Sequence, residues 1–98
     1  MSKQVAADLR KAAAVLRHEG WTFGAYKDAC GLCLMGAIRT AVTGRYDIPN
    51  ARTGRAESFL GTHLGTDRVT KWNDEPGRTA DEVIAALEAA ADSAEADT

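Results

Sequence analysis

Apolar positions recur at helical spacing along most of the chain. Between Lys3 and Glu19, the residues Val5, Leu9, Ala12, Ala13 and Leu16 lie three and four apart and make one stripe, with Lys3, Arg10, Lys11 and Arg17 off it. The spacing predicts a first helix, capped by Ser2 and closed by Gly20, a residue free to take positive φ. Trp21 should then fold back onto Leu16. The segment that follows, WTFGAYKDACG, is aromatic and punctuated by glycine. It reads as a loop packed onto the domain, with Trp21 and Phe23 as its anchors.

From Leu32 to Val42 the chain is apolar on nearly every side, interrupted by Arg39 and Thr40. A helix apolar all round is a buried, central one. Gly36 costs about 1 kcal/mol against Ala inside such a helix, which points to close approach of another helix or of a ring such as Trp72. After the turn signal YDIPN, Ala56, Phe59, Leu60, His63 and Leu64 share one face of a third helix over residues 51–64, ended by Gly65. A short helical turn in TDRVTKWND returns Val69 and Trp72 to one side. The last helix is signalled by a capping box, Thr79 with Glu82, and by the stripe Ala80, Val83, Ile84, Leu87 and Ala91. No strand-period alternation of useful length, internal repeat or phosphate-loop pattern is present.

These elements predict an all-α fold, a compact four-helix domain with one additional short helix. At 98 residues and 45% hydrophobic content the chain can build one core. The expected boundaries are a single helical domain over residues 1–91 and an acidic, frayed tail over 92–98. No stretch reaches the roughly 20 apolar residues of a membrane span, and the N-terminal MSKQVAADLRKAAA has no apolar signal core, so the expected setting is cytoplasmic, away from membranes.

The stretches GWTFGA, GLCLMGAIRTA, KWND and RTADEVIAALEAAA, in that order, resemble a family of small, functionally uncharacterised proteins of actinobacteria and their phages. The resemblance spans nearly the whole chain, from the first helix to the last. Its Cys-x-x-Gly-Ala element falls on Cys33, whereas Cys30 stands outside it. The resemblance implies a phage or actinobacterial setting. It brings no activity, cofactor or catalytic residue.

Cys30 and Cys33 have metal or redox spacing, yet their surroundings argue otherwise. A structural zinc wants four ligands, and His18 and His63 do not supply the second pair at a usable spacing. A thioredoxin-like pair expects a strand before the motif and a βαβ setting, both missing here. No metal and no cofactor is therefore expected, and in a reducing compartment both thiols should be free and Cys33 buried. The sharper alternative is a cysteine-dependent hydrolase, with Cys33 activated at a helix N-terminus, His63 as base and Asp74 or Asn73 as its orienter. Leu32, Leu34 and Met35 argue against an exposed nucleophile.

Charge narrows the partners. The formal net charge is −2, and without Asp92, Glu95 and Asp97 the rest is close to neutral. Duplex binding is driven by clustered cations, so nucleic acid is an unlikely partner. The one concentration of cations, Arg39, Arg45, Arg52 and Arg55 with only Asp47 opposing them, gives a third reading, a weak nucleic-acid binder. Asn73 and Asp74 read first as turn formers, and Trp72 needs a partner for its indole N–H if buried. Their functional reading, with Trp21, is the rim of a groove for a partner. The expectation is thus a small binding or regulatory module acting by protein–protein contact.

Overall fold

The computed structural model describes residues 2–96 and is mainly helical. Helix α1 spans Ser2–Glu19, α2 Leu34–Thr43, α3 Ala51–Leu64, α4 Val69–Asn73 and α5 Ala80–Ala96, with a small hairpin of β1 (Lys27–Asp28) and β2 (Gly31–Leu32) between α1 and α2. The side chain of Ser2, expected as the first N-cap, lies outside the described residues. The five helices among the described residues, one of them short, match the predicted architecture.

The longest packing seam joins α1 to α5, which run antiparallel, since Arg10 pairs with Asp92 and Glu95 whereas Arg17 pairs with Glu88. Alanine on both sides lets the backbones approach. Ala6, Ala12 and Ala13 of α1 and Ala90, Ala91 and Ala94 of α5 are all buried, with Leu9, Leu16, Val83 and Leu87 filling the wider spaces between helices. α2 lies on the other flank of α1 and contributes Leu34, Ala37 and Ile38, each fully buried; α3 adds Ala56 and Leu60. A buried carboxylate ties α1 to α3: Asp8 accepts two hydrogen bonds from the Arg52 guanidinium, at 2.9 and 2.6 Å.

The caps follow the sequence closely. Thr79 and Glu82 exchange hydrogen bonds at 3.0 and 3.2 Å in a capping box at the start of α5. Asn50 and Thr53 form a second box on α3, and Gly44 and Gly65 end α2 and α3 in the left-handed conformation.

Several expectations are corrected. The supposed frayed tail is helical from Asp92 to Ala96, because Ala94 is buried and Asp92 and Glu95 clasp Arg10; Asp97 and Thr98 lie outside the described residues. The connector holds a two-stranded antiparallel hairpin, too short to show period-two patterning in the sequence. Phe23 is no anchor: it is 65% exposed, its ring tilted 40° against that of Trp21 with 5.8 Å between centroids. Gly36 is demanded by backbone, not by a helix or an indole, since a Cβ there would collide with the Tyr26 carbonyl oxygen. Phe59, Trp72 and Ile84 are half-buried at the margin of the core, while Leu16, Cys33, Ala37, Leu60 and Leu87 are fully inside.

Because Leu87 is completely buried in the core, Leu87→Ala should cost about 2–5 kcal/mol in urea unfolding. A loss below about 1 kcal/mol would mean that the cavity collapses without strain.

Candidate functional site

Asn73, the last residue of α4, is fully buried, and every hydrogen-bonding position of its amide is used. Oδ1 accepts from the Trp21 indole N–H at 2.7 Å and from the Leu34 backbone N–H at 3.1 Å. Nδ2 donates to the Thr22 carbonyl at 3.1 Å and to Asp74 Oδ1 at 3.0 Å. One side chain thereby joins the segment after α1, the start of α2 and the end of α4. The expectation that Asn73 and Asp74 bond nearby backbone is corrected: Asn73 reaches Leu34 and Thr22, and Asp74 Oδ1 accepts the Gly24 N–H at 3.0 Å. The indole that needs a buried acceptor is that of Trp21. Trp72 instead lies under the Arg78 guanidinium, 3.7 Å from its ring centroid, while Arg78 Nε donates to the Trp72 carbonyl at 3.1 Å. The structure so brings Trp21, Asn73 and Asp74 into one bonded cluster and leaves Trp72 facing Arg78.

Cys33 sits where a helix usually places Ser or Asp. It is the N-cap of α2, and its Sγ accepts the Gly36 N–H at 3.4 Å. Burial pushes its thiol up from the ordinary value, against the smaller opposing pull of the helix N–H groups. His63, in the last turn of α3, is exposed, and no hydrogen bond joins it to Cys33 among the described residues. Of the groups in the hydrolase reading, the thiol is buried as the cap of α2 and the Asn73 amide is fully engaged with Trp21, Leu34, Thr22 and Asp74. Cys30 is exposed at the hairpin turn, unlinked to Cys33. That turn is held by Asp28, whose carboxylate accepts from the Thr22 hydroxyl at 2.7 Å and the Cys30 N–H at 2.8 Å, bonds that hold its carboxyl below the usual range.

Between the hairpin segment and α4 lies an open cavity of about 280 Å³, lined by Gly24, Ala25, Tyr26, Cys33, Thr70 and Asp74. Cys33, itself buried, and the exposed Asp74 are both among its lining residues. Gly24, Ala25, Tyr26 and Thr70 are members that the sequence reading missed. Their only signal was the glycine-rich aromatic connector, which gives no hint of the α4 residues it meets.

The fold and this geometry can be set beside known proteins. The model of DUF6197, a family of unknown function, matches residues 1–93. The chain belongs to this family. No curated protein and no solved structure matches it.

In this DUF6197 chain the four arginines do not make an open cationic patch. Arg39 belongs to α2, Arg52 and Arg55 to α3, and only Arg45 to the connection between them. Asp47 is not their sole counter-charge. Arg45 pairs with Asp47 at 3.1 Å, Arg52 with the buried Asp8, and Arg39 with Glu57 at 3.5 Å, where burial pushes the Glu57 carboxyl up. Phosphate binding at Arg39, Arg45 or Arg52 would have to displace a carboxylate already in place, whereas no carboxylate pairs with the exposed Arg55 among the described residues. Among the described residues no three His, Cys, Asp or Glu side chains converge as metal ligands, and no helix is long and apolar enough to cross a membrane.

Two predictions test this arrangement. Asn73→Ala strips partners from the Trp21 indole, the Leu34 N–H and the Thr22 carbonyl; at about 1–3 kcal/mol for each buried group left unpaired, it should cost on the order of 3 kcal/mol or more. A loss of about 1 kcal/mol or less would show that water replaces the amide. Thiol alkylation should be fast at Cys30 and slow at Cys33 in the native protein, with Cys33 gaining reactivity only above the usual thiol range near pH 8.5. Rapid native labelling of Cys33 near neutrality would restore the nucleophile reading.

Proposed function

We propose that this protein is a small cytoplasmic binding or regulatory module of phage or actinobacterial setting that acts by protein–protein contact. The observation that carries the reading is the placement of its exposed large apolar side chains. Phe23, Tyr26, Tyr46 and Ile48 all lie in the segments flanking α2, before the hairpin and after the helix. The two segments meet where Lys27 Nζ stands 5.6 Å from the centroid of the Tyr46 ring. Aromatic side chains with few rotamers, held on a braced segment, give contact area at low entropic cost, and large apolar groups left exposed along neighbouring segments suit an interaction surface. The setting comes from the family resemblance alone. The ion-paired arginines favour this reading over nucleic-acid binding, and the shielded Cys33 favours it over a hydrolase.

A photo-crosslinking residue in place of Phe23, compared with one at exposed Ala89 on α5, tests the proposal in actinobacterial cells. A discrete protein adduct from position 23, absent from position 89, is expected. Identical products from both positions, or none above background at position 23, would sink it.

A further inference from the structure

We propose that the cavity between the hairpin segment and α4 is a binding site for an alkylammonium group, with Asp74 as its counter-charge. The inference does not depend on the protein-contact reading. Its first support is the charge of the lining: Asp74 is the sole ionised side chain among the six residues around the cavity, and no lysine or arginine lines it. Arg39 stands outside, 5.0 Å from the centroid of the Tyr26 ring, and its charge is matched by Glu57.

The second support is how Asp74 is held. Its Oδ1 takes the Gly24 N–H and the Asn73 amide, which fixes the carboxylate against both walls. No hydrogen bond or ion pair engages Oδ2 among the described residues, so one oxygen remains for a ligand. An ammonium carries three donors and no acceptor, and can meet Oδ2 together with neutral oxygens such as the Thr70 hydroxyl. The remaining lining residues, Gly24, Ala25, Tyr26 and Cys33, carry no charged side chain and leave room for a short alkyl chain behind it. The volume of about 280 Å³ admits a chain of a few carbons. Burial is the chief cause that raises the Cys33 thiol, and the nearby Asp74 charge adds to it, the direction in which a second anion is disfavoured. A carboxylate or phosphate ligand would meet the same repulsion.

The source of the ammonium is either a free small amine or a lysine side chain offered by a peptide. Amide resonances of the intact chain, followed during titration with n-butylammonium chloride, test the site. Saturable shifts confined to Gly24, Ala25, Thr70 and Asp74 are expected, with none from 1-butanol or sodium butyrate. Asp74→Asn keeps the Oδ1 acceptor and removes the charge, so it should weaken butylammonium binding about tenfold or more, the scale of one close ion pair in a partly shielded site. Shifts that do not saturate, that butanol or butyrate reproduces, or that survive Asp74→Asn would overturn the proposal. Should that variant fail to fold, the comparison of cation, alcohol and anion on the native chain decides alone. Acetyl-lysine methylamide then separates the sources: tighter binding than butylammonium assigns the site to a peptide lysine, weaker binding to a free amine.

Discussion

The side-chain amide of Asn73 is the constraint on which the geometry around it depends. Helix α2 begins with backbone N–H groups that have no partner inside the helix. Two of them are met by side chains, one distant and one local: Leu34 N by Asn73 Oδ1 at the end of α4, and Gly36 N by the sulfur of the N-cap Cys33. The same amide fixes Trp21 and Thr22, and through Asp74 it fixes Gly24. A buried amide so satisfied stiffens its surroundings, because any displacement leaves several groups unpaired at once in a medium of low dielectric. The hairpin segment, whose strands hold two residues each, owes its position to this node more than to its own ladder.

A chain of this size has little apolar area to bury, and its core is arranged accordingly. The α1–α5 seam spends its sequence on alanine, gaining close backbone approach and low side-chain entropy loss in place of bulk. Around that seam, polar ties add direction. The bidentate Asp8–Arg52 pair sets where α3 crosses α1, and its worth lies in that specificity, since the desolvation of a buried carboxylate offsets much of the attraction. The surface pairs of Arg10 and Arg17 along α5 contribute little by themselves.

Local periodicity carried most of the fold. The helices followed from three- and four-residue spacing, or for α2 from a stretch apolar on nearly every side, and two of the ends from Gly65 and the Thr79–Glu82 box, because these signals lie within one turn of the residues they govern. The site was legible only in its ingredients. Cys33, Asn73 and Asp74 stood out by type, but their partners Gly36, Trp21, Leu34, Thr22 and Gly24 range from the next helical turn to half the chain away. Tertiary hydrogen bonds have no period, and a turn-forming asparagine looks the same in sequence whether it bonds its neighbour or a distant helix. Arg52 shows the same limit, since its grouping with Arg45 and Arg55 along the chain concealed a carboxylate on α1. The Ala94 burial was missed for a different reason: acidic composition suggested solvent, while helical phase placed one methyl in every turn against α1.

Both tryptophans lie at one end of this molecule, Trp21 bonded to Asn73 and Trp72 beneath Arg78. The α1–α5 seam, which holds much of the helical content, contains none. Fluorescence therefore watches the α4 end alone, whereas circular dichroism weighs the long helices. If α4 and the hairpin segment open as a unit before the helical pair separates, the emission will change while ellipticity still holds, and the gap between the two curves gives the free energy of that local opening.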